Sequence, residues 1–182
     1  MLAEKDHFWK TMRLWAVVLP LNVLGALAFA ALASLTHALR PGVVQSLGNL
    51  GLQSIHHPAA TILWSGVMSG WIIATVAWLV SGLHSITGSV MIIWMLAFVP
   101  RLGELAHCIA ASGEVFTAIL TGRTAWMTYP TCFFPAVAGN IRGGEGMVTL
   151  LECGQVIIRN GAKAEASQPS ETKTEDARAD SY

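Results

Sequence analysis

The sequence predicts an all-α, polytopic helical membrane protein with four spans, the third discontinuous. Three observations carry that prediction. First, 53% of the 182 residues are hydrophobic and only 12% are charged, against about 25% charged in soluble domains, and the mean hydropathy is +0.53. Second, the charges are segregated. Eight lie between Leu14 and Ile158 (Arg40, Arg101, Glu104, Glu114, Arg123, Arg142, Glu145 and Glu152), and nine lie between Arg159 and Tyr182. Third, the apolar run from Met91 to Leu120 is interrupted by Pro100, Arg101, Gly103 and Glu104. A straight helix crosses a bilayer in about 20 residues, so this run is too long and too broken for one ordinary span.

Residues 1–13 are polar and place Lys5, Lys10 and Arg13 before the first span, with Trp9 and Trp15 at the level of an aromatic belt. Leu14 to Thr36 is long enough to cross, and being a full span it reads as a retained anchor rather than a cleaved signal. Pro20 and Asn22 within it call for polar partners, so this face is expected to pack on protein. Residues 37–59, with Arg40, Pro41, several glycines and the pair His56–His57, read as a solvated connector. Adjacent histidines do not share a helix face, which argues against a metal site there.

Thr61 to Leu83 is the second span. Its Gly66 and Gly70 form a G-x-x-x-G, with Ser65 and Ser69 at the same spacing, a pattern that lets helix backbones approach. The third span covers 88–120, broken near 100–104. After a turn region containing Gly122, Arg123 and Trp126, Pro130 to Ile158 forms the fourth. Residues 159–182, rich in Ala, Ser, Glu, Lys and Asp, read as a disordered tail.

An even number of spans puts Arg159 and Lys163 on the side of the N-terminal basic residues, while the opposite loops carry Arg40 and Arg123. The positive-inside rule then places both termini in the cytoplasm, with the chain in the cell inner (plasma) membrane. No Lys/Arg cluster points to nucleic acid. The dispersed Cys108, Cys132 and Cys153 form no C-x-x-C pair and read as small buried hydrophobes. No cofactor, metal site or enzymatic nucleophile–base pair is expected, so the partners are the lipid bilayer and a small solute.

The candidate chemistry lies at the third and fourth spans. Ionisable groups at membrane depth are functional candidates, and broken helices are tolerated where they line a cavity. His107 follows the break, and its protonation changes easily near neutral pH. The alternative is a packed histidine bonded to a neighbouring carbonyl. Asn140 can donate and accept, so it could orient His107 or a solute, or simply bond helices together. Arg101 with Glu104, and Arg142 with Glu145, stand three apart, the spacing of pairs on one helix face. Mutual pairing, or an Arg–Glu bridge between the third and fourth spans, would offset their cost in hydrocarbon.

The segments AHCIAASGEVFTAILTG (106–122) and FFPAVAGNIRGGEGMVTLLECGQV (133–156) resemble the formate/nitrite transporter family. That family pairs a broken fifth span bearing a central His with a sixth span carrying P-x-x-x-G-N-x-x-G-G, read here as Pro135, Gly139, Asn140, Gly143 and Gly144. Residues 13–30, with Asn22 and Gly25, and residues 65–79 resemble its third and fourth spans. The resemblance implies the second repeat plus one helix of an aquaporin-like channel, built as a homo-oligomer, a pentamer, with a pore in each protomer for a small monocarboxylate or nitrite-like anion. The family's first two spans have no counterpart in this chain, which leaves a non-transporting structural or assembly subunit as the alternative. The expected pathway residues are His107, Asn140, Glu104, Phe98, Gly139, Gly143 and Gly144. Departures are Pro100 where the family has a pore-lining Phe, and Arg142 and Glu145 where it is apolar.

Overall fold

A computed structural model describes residues 2–167, and every described regular element is helical. The helices are α1 (Leu2–Leu35), α2 (Pro41–His56), α3 (Ala59–Ser81), α4 (Ile86–Leu102), α5 (Cys108–Leu120) and α6 (Tyr129–Ser167), with a single 3₁₀ turn at Trp126–Thr128. Two stretches, Trp9–Leu35 and Ala59–Ser81, are long and apolar enough to cross a membrane by themselves. α4 and α5 are shorter apolar helices of 17 and 13 residues. At 1.5 Å per residue neither alone covers a hydrocarbon core of about 30 Å.

α5 is the centre of the fold. Its residues Ser112 to Ile119 are all buried, which is how a helix without a polar face is accommodated. α1, α2 and α6 pack around it, and the core joins Val115, Phe116 and Ile119 of α5 to Ala30, Ile62, Cys132 and Ala136. The exposed large side chains of α1 and α4, such as Leu21, Leu32, Ile86 and Trp94, suit a hydrocarbon solvent. Asn22 and Gly25 of α1 line a shallow hollow of about 390 Å³ against Gly113 and Glu114 of α5.

The connector expected at 37–59 is a correction: most of it is α2. Pro41 occupies the first helical position, where its missing N–H costs nothing. Gly48 and Gly51 are buried on one face. A Cβ on Gly51 would run into the backbone carbonyl of Glu114, so α2 lies directly against α5. Arg123 holds the seam from outside, donating from Nη1 to the Gln45 carbonyl at 3.1 Å and from Nη2 to Asn49 Oδ1. His56 is the last residue of this helix, and His57 follows it in the short link to α3.

The most extensive interface is between α3 and α6. Gly66 and Gly70 of α3 face Gly139, Asn140 and Gly143 of α6 so closely that a Cβ on Gly70, Gly139 or Gly143 would strike the opposite backbone. α6 also runs further than expected, because the segment 159–167 is helical rather than disordered. Extending an existing helix needs no new nucleus, and Ala, Lys and Glu favour it. The rest of the tail lies outside the described residues.

Candidate functional site: the break between α4 and α5

α4 is stopped by a six-residue cap. The Leu105 N–H donates to the Pro100 carbonyl at 2.7 Å and the Glu104 N–H to the Arg101 carbonyl at 3.2 Å. This is the double closure that requires a left-handed residue just past the helix end. The residue there is Glu104, at φ +51. α5 ends with the same pair of bonds, Arg123 N–H to Ala118 and Gly122 N–H to Ile119, both 2.9 Å, and there the left-handed residue is Gly122 at φ +72. A glutamate in that conformation costs about 1 kcal/mol over glycine. The break therefore starts at Gly103 and ends at His107, slightly beyond the expected 100–104, and Pro100 is buried in the last turn of α4.

Three side chains fix the extended backbone between the two helices. Ser65 Oγ of α3 accepts from the Ala106 N–H at 2.8 Å. Asn140 Nδ2 donates to the Ala106 carbonyl at 2.8 Å and to the Gly66 carbonyl at 2.9 Å, while its Oδ1 accepts from the Cys108 N–H at 2.9 Å. One amide thus bonds the residue before His107, the residue after it, and the neighbouring helix. His107 caps α5, its Nδ1 accepting from the Ala110 N–H at 3.3 Å. With Nδ1 an acceptor, the neutral ring carries its hydrogen on Nε2. That Nε2–H has no hydrogen-bond partner among the described residues.

His107 lines a cavity of about 470 Å³ with Glu104, Arg101, Ser65, His57 and Tyr129. Two of the expected pathway residues, His107 and Glu104, are therefore brought together, and Asn140 stands behind them as the tie that holds the break. The other four do not line this cavity. Phe98 is half exposed and packs edge-on against Trp94. Gly139 and Gly143 serve the α3–α6 contact, and Gly144 has only ordinary neighbours, Gly70 O at 3.9 Å and Ala74 Cβ at 4.0 Å. Asn140 joins α6 to α3 and bonds the peptide groups on either side of His107. Two of the first donors of α5 that a bare helix terminus would present to an anion are already taken, at Cys108 by Asn140 and at Ala110 by His107. What faces the cavity is the imidazole.

The charge pairs differ from both expectations. Arg101 Nη1 pairs with Glu114, 3.0 Å from Oε1 and 3.3 Å from Oε2, across the break and within the same broken span. It does not pair with Glu104, because the left-handed cap turns residue 104 away from the helical i, i+3 position. Arg142 and Glu145 are both exposed on α6 and form no ion pair among the described residues. Glu114 is buried while Arg101 is 42% exposed at its side chain. Arg101→Ala is accordingly expected to cost about 2–3 kcal/mol in reversible unfolding in micelles, because it strands a buried carboxylate. Adding Glu114→Gln should recover most of that loss.

Three site features escape a sequence reading. α2 supplies one wall through Leu50, Gln53 and Ser54. Its signals were Pro41 at a helix start and the small or apolar stripe Val44, Leu47, Gly48, Gly51 and Ile55. Tyr129, at the start of α6, meets Ser112 Oγ at 2.8 Å, and Ser112 donates to the Cys108 carbonyl at 2.6 Å. Neither this pair nor the Ser65 bond has a sequence signal, since each joins residues far apart in the chain.

The model of the formate/nitrite transporter family matches residues 1–154, most of the chain. The chain belongs to the formate/nitrite transporter family. It is also 30% identical over 169 residues to the inner membrane protein YfdC of Escherichia coli (strain K12), covering 88% of this chain and 52% of that protein. The chain therefore spans about half the length of the curated relative it matches. No solved structure gives a significant match. Within this formate/nitrite transporter sequence, Gly139 and Gly143 of the G-N-x-x-G-G run lie against the α3 backbone, and its asparagine bonds the peptide groups on either side of the histidine.

Proposed function

We propose that this chain forms part of a transmembrane pathway for small monovalent anions of the formate or nitrite type, with His107 as the group the solute meets. It works as a multi-pass, non-enzymatic protein of the inner membrane, with both termini cytoplasmic, in a homo-oligomer. One observation carries the reading: the cavity at the α4–α5 break is lined by His107, whose Nε2–H has no hydrogen-bond partner among the described residues. Family membership and the inner-membrane relative support it.

A small anion entering a low-dielectric passage loses hydration worth many kcal/mol unless a donor replaces it. The His107 ring supplies a donor whose direction is fixed at both ends, by the cap to Ala110 and by the Asn140 bonds to the flanking peptide groups. Charging the ring would turn Nδ1 into a donor and break that cap. The neutral ring therefore acts by donating a hydrogen bond from Nε2, and full protonation is coupled to loosening the start of α5.

Uptake of labelled formate and nitrite into proteoliposomes tests this. His107→Phe is expected to lower uptake by about tenfold to a hundredfold, the loss of one hydrogen bond to a charged group. His107→Asn, which keeps both a cap and a donor, should retain part of it. Equal uptake by wild type and His107→Phe would remove His107 from the mechanism. No uptake by the wild-type chain would favour the structural-subunit reading.

A further inference from the structure

α6 carries a row of polar side chains that the rest of the chain leaves uncovered. Arg142, Glu145, Thr149 and Glu152 follow one another at steps of three, four and three residues, and all four are exposed. Those steps keep them on one side of the helix, turned away from the side that Gly143 presses on α3. Gly146 lies in the same row, with open space where a Cβ would stand. Cys153, also exposed, borders it.

The contact with α3 fixes the depth of this row. A Cβ on Gly143 would meet the Val67 carbonyl and the Trp71 nitrogen. Those atoms lie midway along Ala59–Ser81, a helix long and apolar enough to cross a membrane. Arg142 is therefore at the middle of the span, and Glu145 stands just beyond it. A charge at that depth is costly unless it meets a partner or water. Yet Arg142 and Glu145 form no ion pair among the described residues, and neither lines the cavity at the break. Lipid tails cannot satisfy them, so the face needs a covering with charges of its own.

A second copy of α6 supplies that covering. Copies of one chain insert with the same orientation, so a two-fold axis along the membrane normal sets two α6 helices side by side and parallel. Steps of three and four are those of a parallel two-helix seam. Arg142 and Glu145 differ by about 4.5 Å along the axis, within the reach of an arginine, so Arg142 of each copy meets Glu145 of the other. The exchange is reciprocal by symmetry and leaves no mid-depth charge over. Gly146 gives the two backbones room to approach. Glu152 is about 15 Å beyond Arg142, half the hydrocarbon thickness, and so reaches the interface.

We propose that the 142–152 face of α6 is a self-association surface, on which two copies pair through reciprocal Arg142–Glu145 bridges. It gives a surface to the homo-oligomer proposed above and depends on neither His107 nor transport.

The full chain in proteoliposomes is treated with a short bis-maleimide, and linked peptides are identified by mass. Cys153 is the exposed cysteine, Cys108 being half-buried and Cys132 buried. A Cys153–Cys153 link in a dimer is expected for wild type. Arg142→Glu and Glu145→Arg, each alone, set like charges across the seam and should lower that link about tenfold. Co-expressed with different tags, the two variants should link to each other at near the wild-type level, since every mid-depth acid then faces a base of the other copy. Pairing within one helix cannot give that rescue, because neither variant holds both signs at these positions. Where a single variant fails to accumulate alone, its recovery on co-expression is the rescue, and a lack of recovery counts against the contact. No Cys153 link in wild type, a link to a different protein instead, or mixing without rescue overturns the proposal. His107-dependent uptake by an unlinked chain leaves the pathway reading standing and removes this contact. A linked chain that takes up nothing supports the contact and removes the pathway.

Discussion

Asn140→Ala is expected to lower the stability of the chain by about 3 kcal/mol, a large loss for a single side chain outside the apolar core. The change leaves the Cys108 N–H and the Ala106 carbonyl without the partner Asn140 gives them and removes the second bond of the Gly66 carbonyl, which keeps its place in the α3 ladder, at about 1–2 kcal/mol for each stranded group. Water cannot compensate at membrane depth as it does on a soluble surface. Asn140→Asp should be no milder, because it keeps the acceptor for Cys108 but turns carboxylate oxygen toward two carbonyl oxygens. Unfolding in mixed micelles gives the magnitude, and hydrogen exchange at the Cys108 amide locates it. A loss below about 1 kcal/mol, with that amide still protected, would mean that the break is held by Ser65 and the α5 cap alone.

Gly143→Ala and Gly144→Ala are expected to differ sharply although they are neighbours in one motif. A methyl on Gly143 meets the Val67 carbonyl and lies 2.9 Å from the Trp71 nitrogen, atoms that belong to a helix backbone and cannot swing aside. Separating α3 from α6 there should cost about 3 kcal/mol, the upper end for overpacking, and Gly143→Leu should prevent accumulation of folded chain. A methyl on Gly144 makes only contacts of 3.9 Å and 4.0 Å, so the gain in helix propensity of up to about 1 kcal/mol leaves the change neutral or stabilising. Equal stabilities of the two variants in the same micelle titration would contradict the close α3–α6 contact.

Much of this molecule is written in short-range patterns. Hydrophobicity and sparse charge give the helical membrane class, because each residue type has its own transfer cost irrespective of neighbours. The pairing of His107 with the G-N-x-x-G-G run gives the family. The Gly66–Gly70 spacing says that α3 has a face for close approach. Composition misled where context outweighs it. Residues 37–59 carry the glycines and polar groups of a loop, yet Gly48 and Gly51 are the contact surface of α2 on α5. The segment 159–167 has the composition of a disordered tail, yet it continues α6.

By itself, the sequence determined the solvent this chain lives in, the family it belongs to, and the presence of an interruption ahead of a histidine, all properties of residue type and local order. Only the tertiary structure decided what each of those residues does. The G-x-x-x-G of α3 found its counterpart in Gly139 and Gly143, the partner of Arg101 became Glu114 instead of Glu104, and Asn140 became the tie to the peptide groups flanking His107. The physical reason is that close packing, ion pairing and hydrogen bonding are set by distance in space. Residues 32 or 74 positions apart, as Cys108 and Gly66 are from Asn140, have no local signal that they will meet.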